Sequence, residues 1–362
     1  MKLLSGQHSS SQISGVRTVS AQRVDGMNVL ANKSLPVPGF AAERPLAKFR
    51  QHLFGISPEE VTFERRGFRV GAPGPTHRLE QVGRTFLRGY HAALIDEAPD
   101  ALAARLESVE EAFRGFAYEG AAMGLGLLDQ VSPWRRGRVR EFLCGAGSRH
   151  PYMIHVGVGW AVARLPWLRR NVERATRDLD PLLRWLALDG YGFHEGYFNW
   201  RRYKARPESF GRLRGYAVHA FAQGLGRSLW FIEGADVTRI PSAVASLPQH
   251  LHADIWSGVG LACAYAGGAG EREVERLRDA ALSFGAELAQ GAAFAAKTRQ
   301  RAGNLTEHTE VACRVLCRVS ASSAAAVTDE TLARLPEDGD VPAYEVWRLR
   351  IQSHFLQEFS RS

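Results

Sequence analysis

Apolar residues recur at intervals of three and four through most of the chain after residue 79, with charged residues between them. That spacing places an apolar stripe along an α-helix, whereas a half-buried strand would alternate apolar and polar residues. Such alternation is almost absent, so the pattern predicts an all-α protein. Amphipathic helices are expected over Leu79–Ile95, Ala101–Ala117, Trp167–Leu188 and Glu271–Ala289.

A second kind of segment, rich in small residues and poor in charge, lies between the amphipathic stretches. Glycines mark these segments, and the first of each are Gly120, Gly157, Gly196, Gly224, Gly258 and Gly291. Their mean separation is about 34 residues, which is typical of stacked helical hairpins. Because a glycine inside a helix costs about 1 kcal/mol relative to alanine, its repetition indicates a close approach of helix backbones. We predict an α-solenoid that resembles tetratricopeptide arrays in period only, with small-residue inner helices under amphipathic outer ones.

The first 45 residues show no sustained period and are rich in Ser, Gln, Asn and Val. We interpret residues 1–45 as a poorly ordered, flexible N-terminal arm and residues 46–362 as a single helical-repeat domain. Ser57 is expected to cap a short helix that has Pro58 at its first position. Phe63–Val70 is expected to be a short extended piece.

Charge and cysteine content narrow the class of protein. The chain has 46 Lys+Arg against 38 Asp+Glu, a net charge of +8, yet no nucleic-acid motif or ladder of stacking aromatic residues accompanies it. We therefore expect no nucleic-acid partner. No apolar run reaches the roughly 18 residues of a membrane span. The four cysteines form no CxxC pair, which favours a reduced, cytoplasmic bacterial protein, and the oligomeric state is left open.

Several long motifs carry a resemblance to a bacterial family. These are Arg114–Asp129 (RGFAYEGAAMGLGLLD), Leu188–Phe198 (LDGYGFHEGYF), Gln223–Asp236 (QGLGRSLWFIEGAD), Trp256–Gly268 (WSGVGLACAYAGG) and Leu288–Asn304 (LAQGAAFAAKTRQRAGN). Over about residues 49–351 the chain resembles the UnbL-type enediyne biosynthesis proteins, a family that recurs beside the iterative polyene synthase of enediyne antibiotic gene clusters. The resemblance implies a role in polyketide antibiotic biosynthesis. It carries no catalytic residues over.

His194 and Glu195 are the candidate catalytic pair, because a His beside a carboxylate can exchange protons near neutral pH. Adjacent helix residues point about 100° apart, and no second His follows four residues later, so the pair is not a zinc-binding HExxH motif. A buried, hydrogen-bonded structural pair is the other interpretation. Around it we place a candidate substrate-binding set of Glu119, Tyr191, Phe193, Tyr197, Trp200, Arg227 and Glu233.

Glu119, Glu195 and Glu233 each precede a glycine in an aromatic setting. On a shared face they would bind a divalent metal with His194, or they would tie adjacent hairpins together; we predict no metal site. Arg227 lies in an apolar run and, if buried, needs a carboxylate, for which Glu195 or Glu233 is the expected partner.

The glycine pairs lack the third glycine of a dinucleotide-binding loop, and no cofactor is identified. Two functions stay open. The protein is either an enzyme that modifies a polyene or polyyne intermediate in an apolar cavity, or a non-catalytic scaffold or chaperone that binds the polyene or a synthase-associated protein. Convergence of the candidate residues on a cavity would favour the enzyme.

Overall fold

A computed structural model describes residues 45–361 apart from 97, 133 and 207–209. Within these residues the chain is helical and contains no strand, which confirms the all-α prediction. The predicted arm lies outside the described residues except for Pro45. The α-helices in chain order are α1 (Pro45–Phe54), α2 (Phe63–Arg66), α3 (Pro73–Ile95), α4 (Pro99–Glu107), α5 (Glu111–Val131), α6 (Arg138–Cys144), α7 (Pro151–Arg164), α8 (Pro166–Arg169), α9 (Val172–Thr176), α10 (Arg184–Ala205), α11 (Tyr216–Ile232), α12 (Ile240–Ala245), α13 (His252–Ala266), α14 (Glu271–Ala280), α15 (Gly285–Ala302), α16 (Glu307–Leu316), α17 (Ala321–Leu332) and α18 (Ala343–Arg361).

Three short 3-10 helices complete the list, at Pro58–Val61, Gln249–Leu251 and Leu282–Phe284. The first begins as expected, because Ser57 Oγ accepts a hydrogen bond from the Glu59 amide. The prediction of an extended segment over Phe63–Val70 is wrong for its first residues, because residues 63–66 form α2. Thr62 caps this helix, and Gly67 ends it in the left-handed conformation.

Seven long helices form the inner layer, each packed against the next in the order α3, α5, α7, α10, α11, α13 and α15. Neighbours run parallel. In α10 and α11 the ring of Trp185 contacts Tyr216 near the N-terminal ends (4.9 Å), and Tyr197 contacts Phe231 towards the C-terminal ends (5.9 Å). Shorter helices form the returns between the inner ones, as expected for a solenoid.

Backbone contact between inner helices explains the repeated glycines. A Cβ on Gly258 would lie 1.9 Å from the Gln223 carbonyl oxygen of α11, and one on Gly260 would lie 2.1 Å from the Leu288 carbonyl oxygen of α15. The first glycine of each pair thus faces the preceding helix and the second faces the following one. The same division holds for the pairs 157/159, 190/192 and 224/226.

The structure corrects one marker of the repeat. In α10 the glycine that faces the preceding helix is Gly190, opposite the Val156 carbonyl oxygen, whereas Gly196 meets the Ser228 side chain. With Gly190 in place, successive spacings of the first glycines become 37, 33, 34, 34 and 33 residues. The array is therefore more regular than the sequence interpretation had it.

Three predicted amphipathic helices are broken in the structure. The stretch 101–117 ends one helix and begins the next, with Ser108–Glu110 between them, and 167–188 is divided among α8, α9 and α10. The stretch 271–289 is interrupted at Leu282, whose φ of 51° is incompatible with a continuous helix. The sequence pattern did not show these breaks, because the helices on both sides of each turn bury their apolar residues and the apolar spacing continues through the turn.

The array curls until its end meets its beginning. Buried Arg299 of α15 donates hydrogen bonds to the carbonyl oxygens of Tyr265, at the end of α13 (2.6 Å), and of Ala112, at the start of α5 (3.2 Å). Asn304 donates to the Glu111 carbonyl oxygen (3.0 Å). Carbonyl groups at the end of a helix lack partners within it, so a cation there is favourable.

Helix α18 closes the concave side of the array. Its Trp347, Ile351 and Phe355 are buried, and Arg348 is 1% exposed. Arg348 donates hydrogen bonds to Asp254 of α13 (2.7 Å), to Glu345 (2.9 Å) and to Gln290 of α15 (3.3 Å). The C-terminal helix is thus held to two inner helices by a fully buried cation.

No single helix among the described residues is long and apolar enough to cross a membrane. One bent pair, α16 and α17, meets the criteria of length and composition together, with 67° between the two helices.

Candidate functional site

Each inner helix has one buried residue at an equivalent position. In six of the helices this residue directly precedes the glycine that faces the preceding helix, and in α3 it is Phe86, whose carbonyl oxygen faces Gly120. In each helix the carbonyl oxygen of this residue faces the first glycine of the next helix where such a helix follows. We call these residues the ladder: Phe86, Glu119, Val156, Asp189, Gln223, Ser257 and Gln290. Five of the seven are polar, and all five are at most 1% exposed.

The ladder positions hydrogen-bond along the array. Gln223 Nε2 donates to Asp189 Oδ2 (3.0 Å), and Ser257 Oγ donates to Gln290 Oε1 (2.8 Å). Glu119 Oε1 and Gln223 Oε1 have no hydrogen-bond partner among the described residues. Buried polar atoms in folded proteins are nearly always paired, so these two oxygens mark the centre of the ladder as a place where a ligand group or water would be accommodated.

Asp189 pairs with Arg227, one turn beyond Gln223 on α11. Arg227 Nη1 lies 2.5 Å from Asp189 Oδ1, and the guanidinium lies 4.6 Å from the centre of the Phe193 ring. The partner expected for Arg227 was Glu195 or Glu233, which is wrong. The ion pair joins α10 and α11 and gives Arg227 the carboxylate that its burial requires.

Glu119 is a buried carboxyl group whose surroundings disfavour its ionised form. Burial raises its pKa from 4.5 to about 7, while the positive charge of nearby Arg227 opposes that shift and Asp189 adds to it. A carboxyl group with a pKa near 7 is populated in both protonation states at neutral pH, which is the property required of an acid–base group.

Two apolar cavities adjoin this polar centre. The central cavity, about 30 Å³, lies between the inner helices and α18; its lining includes Val156, Leu186, Arg227, Leu261, Tyr265, Phe294, Tyr344 and Trp347. The aromatic cavity, also about 30 Å³, is lined by residues that include Phe86, Phe116, Glu119, Trp160, Phe193, Tyr197 and Phe231.

Two side-chain contacts separate the cavities. Phe116 meets Tyr265 edge to face at 5.0 Å, and Phe193 lies under Arg227. The Tyr265 hydroxyl is buried without a hydrogen-bond partner among the described residues. Each cavity thus has apolar walls and a charged or polar group at the partition, which is the usual composition of a small-molecule site.

The partly exposed residues of the lining show where the central cavity approaches the protein surface. Of the residues that line it, only Tyr152 and Lys297 are partly exposed. Lys297 Nζ lies 2.5 Å from Asp329 Oδ2, a carboxylate whose side chain is 54% exposed. The cavity therefore reaches the surface beside this ion pair.

The structure brings four of the sequence-predicted residues together. Glu119, Phe193 and Tyr197 line the aromatic cavity, and Arg227 lines the central cavity directly behind Phe193. Tyr191 lies apart, with its ring 5.1 Å from Phe221 in a separate apolar cluster.

Trp200 and Glu233 line a different cleft of about 170 Å³, together with Arg69, Lys204 and Arg239. Glu233 Oε2 lies 3.2 Å from Arg69 Nε. The three repeated Glu-Gly glutamates therefore do not share a face. Within the described residues no group of three or more His, Cys, Asp or Glu side chains is arranged to hold a metal ion.

His194 and Glu195 are both buried, but their surroundings differ. Glu195 accepts hydrogen bonds from Tyr203 (3.2 Å) and Asn199 (3.3 Å). His194 packs against Trp160 and Phe198, and its Nδ1 lies 3.5 Å from Glu195 Oε1 without hydrogen-bond geometry. Burial lowers the pKa of His194, so the ring is neutral at pH 7. The pair stays a predicted catalytic site, on the far side of Trp160 from Glu119.

Sequence reasoning missed Asp189, Trp160 and Tyr265. A signal for Asp189 exists: it precedes Gly190 as Gln223 precedes Gly224 and Ser257 precedes Gly258. The sequence interpretation used Gly196 instead of Gly190 as the first glycine of this repeat, and so it did not identify Asp189 as the equivalent residue. Trp160 and Tyr265 carry no comparable signal, because apolar helices contain many aromatic residues that only pack.

Fold and site together define an all-helical repeat protein with a buried polar ladder between apolar cavities. Over residues 45–355 the chain matches the family described as "Protein of unknown function (DUF1702)", and it belongs to that family. Neither the curated proteins nor the solved structures contain a match to it.

Proposed function

We propose that the protein is an accessory protein of enediyne antibiotic biosynthesis that holds, and acts on, an apolar polyene or polyyne intermediate between its inner helices and α18. The observation that carries the proposal is the pair of neighbouring apolar cavities, one lined by Glu119 and the other by Arg227. A resemblance of long motifs to the UnbL-type proteins supports the pathway, and the cavities support the chemical class of the ligand.

An unsaturated hydrocarbon chain fits the walls of these cavities better than a polar metabolite does. Apart from Arg227, Lys297 and Glu119, the lining is aliphatic, aromatic or hydroxyl-bearing. A buried polar ligand would need a partner for each of its polar atoms, and the lining has few unpaired polar atoms, at Glu119, Trp160, Tyr265 and Tyr344. Apolar surface, in contrast, gains about 25 cal/mol per Å² on burial. Each cavity has room for about two water molecules, so lining side chains must move to admit a chain.

Glu119 is the group best placed to move a proton on such a chain. It faces an aromatic wall that excludes water, and burial holds its pKa at about 7. Removal of a proton from one carbon and delivery of a proton to another would shift double bonds along the chain, with Glu119 as acid or base. His194 and Glu195 are the second candidates.

A non-catalytic scaffold or chaperone is the alternative function. It is favoured by the Asp189–Arg227 pair, which already satisfies the charge of Arg227, and by the separation of His194, Glu195 and Glu233 from the central cluster. Both functions require that a partner or ligand be bound, but only the enzyme requires Glu119 to ionise.

A fluorescent conjugated tetraene fatty acid, parinaric acid, tests the binding step. Leu261→Trp fills the central cavity, and Leu349→Trp places the same change at an exposed position of α18. We expect the first variant to bind the tetraene about tenfold more weakly or worse, because insertion into a packed cavity costs about 1–3 kcal/mol. The Leu349→Trp control should bind as the unmodified protein does.

Phe294→Ala also changes the lining of the central cavity, but it enlarges the cavity, so this variant should bind the tetraene as tightly as the unmodified protein or more tightly. That result would show that weaker binding by Leu261→Trp is due to the filled cavity and not to misfolding. Equal tetraene binding by Leu261→Trp and Leu349→Trp would overturn the proposed site. The pathway is tested by deletion of the gene in its host and mass spectrometry of the accumulating metabolite. Complementation with Glu119→Gln separates the functions, since a scaffold would restore product and an enzyme that uses Glu119 would not.

A further inference from the structure

A third concave region lies where α8, α9, the start of α10 and the segment before α11 meet. We call it the arginine cleft; it is lined by Arg169, Arg170, Asn171, Val172, Thr176, Arg184, Trp185, Leu188, Arg212, Leu213, Arg214 and Ala217. Its volume is about 450 Å³, within the roughly 300–1,000 Å³ of small-molecule sites. None of these residues lines the two apolar cavities, so the cleft is a separate site.

Among the residues that the structure describes, five arginines and no carboxylate line the cleft. Arg184 is paired at the rim, where its Nη2 lies 3.3 Å from Asp338 Oδ2. Arg214 donates to the Leu213 carbonyl oxygen (2.7 Å), which leaves its charge unbalanced. The like charges repel one another across a concave surface, and an anion that enters would relieve that repulsion.

The side chains of three of the arginines, Arg169, Arg170 and Arg212, make no hydrogen bond or ion pair within the described part of the chain, although the charge of Arg169 lowers the pKa of Glu195. Their donors are therefore available to a ligand. Guanidinium groups bind phosphate oxygens in a two-pronged manner, and a phosphate monoester offers three oxygens and close to two negative charges. A single carboxylate would leave most of these donors unused.

The floor of the cleft is apolar. Val172, Leu188, Leu213 and Ala217 are buried there beside the partly buried Trp185. The indole Nε1 of Trp185 is buried and lacks a hydrogen-bond acceptor among the described residues.

We infer that the arginine cleft binds a phosphorylated small molecule, a phosphate ester or diphosphate whose other end is apolar. The phosphate lies among the free guanidinium groups, and the apolar end lies against Trp185 and Leu213. This binding goes beyond the proposed function and does not depend on it, because it uses none of the residues around Glu119. The volume of the cleft, about 450 Å³, suits a small molecule rather than an extended acidic partner.

Calorimetric titration of the full chain with inorganic pyrophosphate and with 1-naphthyl phosphate tests the inference. In the cleft variant, Arg170→Gln with Arg212→Gln, we expect affinity for both probes to fall by about tenfold or more, because each substitution removes charged hydrogen-bond donors to the phosphate. The matched control, Arg272→Gln with Arg276→Gln, removes two exposed arginines of α14 and should leave both affinities unchanged.

Three further readouts decide the class of ligand. Naphthyl phosphate should bind more tightly than inorganic phosphate, 1-naphthol should not bind through the arginines, and added salt should weaken pyrophosphate binding. Equal affinities in the cleft and control variants, or no binding by either phosphate probe, would overturn the inference. Preferential binding of a single-stranded oligonucleotide over pyrophosphate would do the same and assign the surface to nucleic acid. Leu261→Trp should leave phosphate binding intact, which separates this result from the test of the apolar cavity.

Discussion

Asp189 and Arg227 form an ion pair across two parallel inner helices, with 2.5 Å between Oδ1 and Nη1 and side-chain exposures of 1% and 4%. Gln223 supplies a second hydrogen bond to the carboxylate, and the Phe193 ring covers the guanidinium. Neither charge can be solvated where it lies, so each side chain holds the other in place. The pair fixes the register of α10 against α11 at the wall between the two cavities.

Removal of one member of this pair should destabilise the protein strongly. We expect Arg227→Met or Asp189→Asn to lower the unfolding free energy by about 3–5 kcal/mol, because an unpaired charge or a broken network is left in the interior. The double variant should lose less than the sum of the single losses. Denaturant unfolding measures all three, with Arg278→Met in the exposed Arg278–Asp279 pair as the control that changes little. Additive losses would show that the pair is not coupled.

Ionisation of Glu119 should make stability depend on pH. Burial raises the pKa of this carboxyl to about 7 in the folded protein, against 4.5 when exposed, so the folded state holds the proton more tightly. The stabilising contribution of that proton is fully present below about pH 4.5 and is lost as the pH rises to 7, a loss of about 3 kcal/mol.

Glu119→Gln has no such proton to lose. Its unfolding free energy relative to the unmodified protein should therefore rise by about 3 kcal/mol between pH 4.5 and pH 8. Denaturant unfolding across this range measures the difference, and Glu275→Gln on the exposed face of α14 is the matched control, for which a flat difference is expected. A flat difference for Glu119→Gln as well would mean that the carboxyl is solvated.

Backbone contact at the inner glycines is tested by a methyl group. A Cβ on Gly258 would lie 1.9 Å from the Gln223 carbonyl oxygen, so Gly258→Ala should lower the unfolding free energy by about 3 kcal/mol or more. Gly224→Leu should do at least as much. Gly74, near the start of α3, has nothing within 4 Å of such a Cβ, and Gly74→Ala should be neutral or stabilise by up to about 1 kcal/mol. Similar melting temperatures for the Gly258 and Gly74 variants would refute close packing of the inner helices.

Attachment of α18 should depend on Arg348. Arg348→Met leaves Asp254 and Gln290 without their partner in α18, so we expect faster amide hydrogen exchange over residues 343–361 while α10 and α11 keep their protection. Tetraene binding should reach equilibrium sooner, because α18 forms one wall of the central cavity. Arg272→Met on α14 is the control. Unchanged exchange in α18 would indicate that its apolar contacts alone hold it.

The fold was predictable to the extent that it repeats. Period and helix type follow from the sequence because every inner helix meets the same steric requirement, a glycine opposite a carbonyl oxygen. The error at Gly196 arose within one helix that contains three glycines, where only the packing partner distinguishes Gly190. Breaks such as Leu282 were missed because a positive φ at leucine depends on tertiary contacts and leaves no local signal.

The candidate site was predictable only in part, for a related reason. Residue type identified Glu119 and Arg227, since charges in apolar runs are rare, but it could not assign Arg227 to Asp189 rather than to Glu195 or Glu233. That assignment depends on the register of adjacent helices, which decides which residues of one helix lie opposite which residues of the next. His194 drew attention through the aromatic residues around it, and these prove to be spread over the aromatic cavity, the cleft at Glu233 and a separate apolar cluster.

The two-sided glycine pair makes the four inner helices that contain it, α7, α10, α11 and α13, interchangeable modules. The first glycine packs against the preceding helix and the second packs against the following helix. A unit of 33 or 34 residues can therefore be duplicated or deleted, and the helices brought together still pack glycine against backbone. Alanine stands at the second position in α5 and α15, at Ala122 and Ala293. Related chains of different length should therefore differ by whole units inserted between those two helices, and the interior they enclose would widen with each added unit.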